Sequence, residues 1–373
     1  MNEEIEKDIE IESNLENNEE EVTNPFSTKD IKITNAMVLL PSLIKRLEYE
    51  EIDLNPDFQR NANLWTSRQM SRLIESILLK LPLPVFYFDV TKPEKWIIVD
   101  GLQRLSTIKK FFVDKKLVLN NLEFLVNLNG KSYDDLDRTL KRIVDDTTFI
   151  TYQIEAQTPK KVRYSIFNRI NTGGIPLNEQ EIRQALNQEG KGVKFLEDVC
   201  SDDIFKRIVK ISPKRMVDRE LTLRFIAFTL YKDSEFKFQT MGDFLNEGME
   251  KLDGIEDEKY LEELKNNLLT TLEFSEIILG VGHRFSRSIA IKSNTKTLNR
   301  SLFDVITVSF SKIKNRELFI SKKSIFLDKF KELIKDEKND FAKAITESSN
   351  SKSAIETRFK IMQELIDEVL SEN

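Results

Sequence analysis

Apolar runs of strand character stop at Ile154 in this chain, and beyond Gly190 apolar residues recur only at helical spacing. A chain whose period changes once in this way divides into a mixed α/β part followed by an all-α part. In the first part, segments 52–54, 85–90, 96–99, 117–119 and 149–154 are short β-branched or aromatic runs and are predicted as strands. Met37, Leu40, Ile44 and Leu47 predict a helix. Ser67 is expected to cap a second helix, whose Met70, Leu73, Ile74, Ile77 and Leu78 share one face before Pro82 and Pro84 end it. Leu105, Ile108, Phe111 and Phe112 mark a helix that begins directly after Gly101. Val162, Ile166, Phe167 and Ile170 mark another, stopped by Asn171-Thr172-Gly173-Gly174, after which Asn178 and Glu181 have the spacing of a capping box. In the second part, segments 221–228, 244–249, 260–278, 302–313, 325–334 and 355–370 are predicted helices.

A length of 373 residues with 40% hydrophobic composition supports two cores, and the expected domains are 28–189 and 190–373. Residues 1–27 are expected to form a disordered acidic arm: ten carboxylates face Lys7 alone within residues 1–22. That tail of −9 in a chain of −6 leaves the remainder at +3, so the overall charge hides a mildly basic body. Cys200 is the only cysteine, the start of the chain is acidic rather than basic and then apolar, and no apolar run approaches the ~20 residues of a bilayer span. A cytoplasmic protein with no membrane partner is expected.

The segment with the most chemistry is Asp100-Gly101-Leu102-Gln103-Arg104, where a predicted strand runs straight into a helix. Glycine lets backbone approach a ligand, the first helical N–H groups point outward, and the helix dipole favours an anion there. Arg104 can fork onto phosphate oxygens, Asp100 can hold a divalent cation, and Gln103 can orient an attacking water. By themselves these residues equally describe an ordinary turn.

Their surroundings narrow the choice. In order along the chain stand Asn55-Pro56-Asp57-Phe58-Gln59-Arg60, Trp65, Leu73-Ile74-Glu75-Ser76-Ile77, Leu81-Pro82-Leu83-Pro84 and Ile98-Val99-Asp100-Gly101-Leu102-Gln103-Arg104-Leu105-Ser106. Phe167-Asn168-Arg169-Ile170-Asn171-Thr172-Gly173-Gly174 follows, and then Arg215 to Arg224 with Asp218 and Glu220 between. This series, over roughly residues 33 to 310, resembles the N-terminal domain of GmrSD-type restriction endonucleases. The resemblance implies a ParB/sulfiredoxin-like α/β (α+β) domain ahead of the all-α domain, and a DGQQR motif tied to nucleoside-triphosphate hydrolysis in defence against foreign DNA. Carried over, it implicates Asp100, Gln103 and Arg104 in catalysis, Asp100 as the ligand of a cation such as Mg2+, and Gln59, Arg60, Gly101, Arg104 and Asn171 in nucleotide binding. Leu102 stands where the family usually has the first glutamine of the motif.

Arg284, Arg287, Lys292, Lys296 and Arg300 lie in a stretch, residues 277–303, with no acidic residue, and are the candidate DNA contacts. Lys206, Arg207, Lys210, Lys214, Arg215 and Arg219 form a second cluster, for which internal ion pairing is expected. His283 is the only histidine, so these residues cannot assemble a His-Asn-His nuclease, and a separate nuclease subunit is the expected partner beside nucleotide and DNA. Cys200, outside the α/β part, has no basic motif to activate it. Two other classes stay open: a DNA-binding module that cuts no phosphate bond, and a ParB-fold DNase.

Overall fold

The computed structural model describes residues 31–54, 65–170, 178–231, 238, 240–291 and 297–372. The chain divides into two compact units whose boundary falls between Leu186 and Asn187.

The first unit is built on a five-stranded sheet in the order β1-β5-β3-β4-β2, with β1 Ile33–Leu39, β2 Ile52–Asp53, β3 Phe86–Asp89, β4 Trp96–Asp100 and β5 Thr148–Ile154. β3 runs antiparallel to β4 and parallel to β5, which lets a single strand end, that of β4, face the start of β3, with Tyr87 opposite Asp100. Alternation sorts the side chains onto two faces. Phe86, Phe88, Trp96, Ile98 and Phe149 join a core with α1 (Leu40–Glu48), α2 (Ser67–Leu78) and α3 (Leu102–Ile108). Val99 and Ile154 point the other way, onto Tyr164 and Phe167 of α5 (Lys160–Ile170) and Ile182 of α6 (Glu179–Leu186). The short helix α4 (Arg138–Asp146) precedes β5. Arg163 fixes α5 to the sheet, its Nη1 donating to the buried Asp89 Oδ2 and to Thr91 Oγ1, both at 3.0 Å.

Three expectations need correcting. The helical spacing from Met37 to Leu47 spans a junction: residues 33–39 are β1, Met37 is 79% exposed, and α1 starts only at Leu40 with Pro41 in its first turn. The cap of α2 is Thr66 rather than Ser67, because Thr66 and Gln69 satisfy each other's backbone N–H in a reciprocal box. Segment 117–119 forms no strand. Its loop is organised instead by the buried Glu75 carboxylate, whose Oε1 accepts the N–H groups of Glu123, Phe124 and Leu125 at 3.0, 2.7 and 2.7 Å. The box expected at Asn178 and Glu181 is present, with both N–H donors bonded at 2.8 Å.

Burial by itself would raise the Glu75 carboxyl, but the three amides and nearby Arg72 outweigh it and hold Glu75 below the usual carboxylate range. A depressed acid contributes stability above its unfolded pKa and loses it as pH falls through the folded one. The amides of residues 123–125 should therefore be strongly protected from hydrogen exchange at neutral pH and lose protection in acid. Glu75→Ala should expose them at any pH, leaving buried donors unpaired at roughly 1–3 kcal/mol each. Equal protection in mutant and wild type would refute this role.

The second unit is helical: α7 (Lys191–Ser201), α8 (Asp203–Val209), α9 (Val217–Leu230), α10 (Met241–Asp253), α11 (Glu258–Leu279), α12 (Arg300–Ser311), α13 (Arg316–Ser321), α14 (Lys323–Lys335), α15 (Asp340–Ala344) and α16 (Lys352–Ser371). One continuous apolar core runs through it, from Val193 to Val369. Inside lies a charged cluster: Arg224 of α9 and Arg358 of α16 both bond Asp304 of α12, and all three side chains are at most 1% exposed. Among the described residues no helix is long and apolar enough to cross a membrane.

Candidate functional site

The end of β4 is where the sequence concentrates its chemistry, and local geometry explains why the residues there are what they are. Asp100 is the last residue of β4, Gly101 is the N-cap of α3 with φ +108°, and Gln103 and Arg104 sit in the first turn. Glycine is required twice. Its φ is one that L side chains rarely adopt, and a Cβ would stand 2.4 Å from the Phe86 ring. Because glycine has no side chain to cap the helix, the opening N–H groups of α3 are not occupied by an N-cap side chain. The helix continues past Ile108 as a π-helical turn, Lys109–Val113, which seats Phe111 and Phe112 in the core.

Arg104 is buried, its guanidinium 4.4 Å over the Phe86 ring. Nη1 donates to the Pro84 carbonyl, and Nη2 donates to the Val85 carbonyl at 3.1 Å and to Asp100 Oδ2 at 3.0 Å. Two motifs separated in sequence, Leu81-Pro82-Leu83-Pro84 and Asp100 to Arg104, are thus one structural feature stapled by a single side chain. Burial pushes the Asp100 carboxyl above its ordinary range against the pull of Arg104 and the Gly101 N–H. Burial also lowers the Arg104 guanidinium, with Asp100 opposing. Both shifts run toward neutrality, so withdrawal from water outweighs what the pair returns. Perturbation of this kind, by desolvation together with one specific charge partner, is what makes the pair a candidate site.

Ser106, two residues on, has a buried hydroxyl with no hydrogen-bond partner among the described residues. Ser106 and Glu75 stand within the motif series by which the chain resembles the family, but the sequence assigned neither a role, and it passed over Phe86. Ser106 had a signal in its place on the helix after Gly-x-x-Arg; Phe86 had none beyond hydrophobicity. Gln59, Arg60 and Asn171 lie outside the described residues. Trp65 packs against the core of the first unit, and Asn168 and Arg169 are exposed on α5.

The remaining candidates belong to the helical unit. Arg300 Nε is 3.1 Å from Glu220 Oε1, and Arg284 Nη2 donates to the Lys210 carbonyl at 2.7 Å. Arg287 begins a short 3-10 turn, Arg287–Ile289; Lys292 and Lys296 lie outside the described residues. In the second basic cluster Arg207 pairs with Glu276 and Arg219 with Glu197. His283 is buried, its Nδ1 accepting the Phe285 N–H at 3.1 Å and its Nε2 3.3 Å from Ser275 Oγ. Cys200 is buried beside Thr222, and burial pushes its thiol far up, the reverse of an activated nucleophile. Among the described residues no three His, Cys, Asp or Glu side chains gather as a metal cage.

A mixed α/β unit with a strand–Asp–Gly–helix turn, followed by a helical unit, is the class these features define. Residues 42–187 match the family model of the GmrSD restriction endonuclease, N-terminal domain. No curated protein and no solved structure matches the chain.

Proposed function

We propose that the first unit, taken as ParB-like, binds and hydrolyses a nucleoside triphosphate, and that the chain is the nucleotide-handling component of a restriction-like system acting on foreign DNA. The observation that carries this is the β4–α3 turn within the matched family segment: glycine-opened helical amides beside a partly desolvated pair of half-buried Asp100 and buried Arg104. Amides of the first turn would receive phosphate oxygens. Arg104 is the positioning residue, holding Asp100 and the Pro84–Val85 edge while placing positive charge beneath the anion. Gln103 would orient water. Magnesium needs few protein ligands when nucleotide phosphates complete its shell, so a lone carboxylate fits, and Asp100 would hold the ion with the nucleotide. The cation supplies charge neutralisation of the phosphates. DNA cleavage would fall to a separate nuclease subunit, in keeping with a single histidine committed to core contacts.

One observation favours a second reading, a DNA-binding module without hydrolysis: Arg104 already donates to two carbonyls and Asp100. Incubating the purified chain with each labelled triphosphate, with and without magnesium and DNA, separates the two. Asp100→Asn should leave nucleotide binding within a few-fold by calorimetry and lower turnover roughly a hundredfold. Absence of binding of any triphosphate to the wild-type chain would sink the proposal.

A further inference from the structure

Where α11 ends, the chain runs Gly280-Val281-Gly282-His283-Arg284-Phe285, and Gly280, Gly282, Arg284 and Phe285 have φ of +91°, +73°, +51° and +48°. Left-handed backbone at arginine and phenylalanine persists only where the surroundings over-determine it. Here they do. Phe285 is fully buried, edge-on to Phe303 at 4.9 Å, and His283 packs on it at 4.5 Å while accepting its N–H and meeting Ser275. Rooted in this way, the loop holds Val281 in solvent at 82% exposure, the highest of any large apolar side chain among the described residues. Ile277, on the last turn of α11, is also exposed.

Cations surround this apolar tip. Arg284 ties the loop to the end of α8 through the Lys210 carbonyl, and Lys206, Arg207 and Lys210 of that end are exposed. Arg207 reaches Glu276, and Lys323 Nζ donates to the Ile277 carbonyl. Arg287 follows the loop. The carboxylates on the adjoining turns of α11 are Glu273 and Glu276, the latter paired with Arg207.

We infer that the loop Gly280–Phe285 is a duplex nucleic-acid contact in which Val281 enters between base pairs while Arg207, Lys210, Arg284 and Arg287 hold the flanking phosphates. A wedge must be both apolar and rigid, since a mobile tip cannot offset the unstacking it causes, and cations must flank it to hold the bent backbone. Two exposed aliphatic side chains are too small a patch for a stable protein interface, and the charge around them complements a polyanion. The inference rests on the proposal that the chain acts on DNA, and is independent of nucleotide chemistry at Asp100.

The test uses the full chain and duplexes carrying 2-aminopurine, with fluorescence reporting unstacking and anisotropy across a salt series reporting affinity. Wild type should raise 2-aminopurine fluorescence. Val281→Ser should abolish that rise and weaken binding about tenfold, with unchanged thermal unfolding. The Arg207→Ser, Lys210→Ser double variant should flatten the salt slope by roughly two. An undiminished fluorescence rise in Val281→Ser, or duplex affinity unaltered in both variants, overturns the inference, as does capture of a protein through Val281 by a chain that binds no duplex. Nucleotide binding without duplex binding would remove this inference and the direct action on DNA it rests on, leaving the hydrolase proposal; duplex binding without nucleotide binding would remove the hydrolase proposal alone.

Discussion

Asp304→Ala should be the most damaging single change in the helical unit, lowering its unfolding free energy by about 3–5 kcal/mol. Asp304 receives Arg224 Nε at 2.9 and 3.1 Å and Nη2 at 2.7 Å, and Arg358 Nη2 at 3.3 Å, which ties α9, α12 and α16 at one buried carboxylate. Removing it strands two guanidinium groups in the core. They would not suffer equally. Arg224 keeps Glu220 at 3.6 Å, one turn earlier on its own helix, and Asn350 at 3.3 Å. Arg358 keeps the carbonyls of Ser349 and Ala344 and the Phe359 ring, none of which carries a countercharge. Asp304→Asn, which retains shape and an acceptor but no charge, should fall between mutant and wild type. Arg358→Met should be milder than Asp304→Ala, because the bidentate Arg224–Asp304 pair survives it. Urea unfolding of the three variants checks this order. Asp304→Ala unfolding within about 1 kcal/mol of wild type would mean that the buried charges are satisfied some other way.

The same cluster illustrates what a sequence conceals. Arg224 closes a segment, Arg215 to Arg224, that the family resemblance marks as a motif, yet besides Glu220 on its own helix its partners Asp304 and Asn350 lie 80 and 126 residues away. Long-range pairing has no local period to betray it. β3, β4 and β5 were legible because they are buried runs of β-branched and aromatic residues, and α9 to α12 because their apolar residues recur with helical spacing. β1 was not, since apolar spacing carried through Met37 into α1 without a break in period. Glu75 stood in the motif Leu73-Ile74-Glu75-Ser76-Ile77 without a role; only the return of residues 123–125 gives it one. At the candidate site, Gly101 and Asp100 could be recognised as a turn between strand and helix. What Arg104 touches could not, because Pro84 and Val85 reach it only through the antiparallel return of β3 beside β4.

That arrangement sets the expected result of Arg104→Ala. From sequence, Arg104 is a phosphate contact whose loss should spare the fold. In the structure its removal leaves the half-buried Asp100 without a countercharge, takes donors from the Pro84 and Val85 carbonyls and uncovers the Phe86 ring. The α/β unit should lose about 3–5 kcal/mol, and nucleotide binding should fall with it. A pH signature separates this from simple cavity formation. The Asp100 carboxyl is already raised by burial, and a raised acid contributes stability that is full below its unfolded pKa and is lost as pH rises through the folded one. Without Arg104 the carboxyl rises further, so the mutant's deficit should shrink in mild acid and widen toward neutral pH. Arg104→Lys keeps the charge but replaces a planar fork by one ammonium, which cannot meet Pro84, Val85 and Asp100 together. It should recover the pH behaviour, because Asp100 regains a countercharge, while recovering only part of the stability. Triphosphate affinity then decides the role of the group. If Arg104→Lys is well folded and binds nucleotide as wild type does, the guanidinium serves only to support the turn; a loss of affinity in a folded Lys variant assigns the fork itself to the placement of the phosphate site.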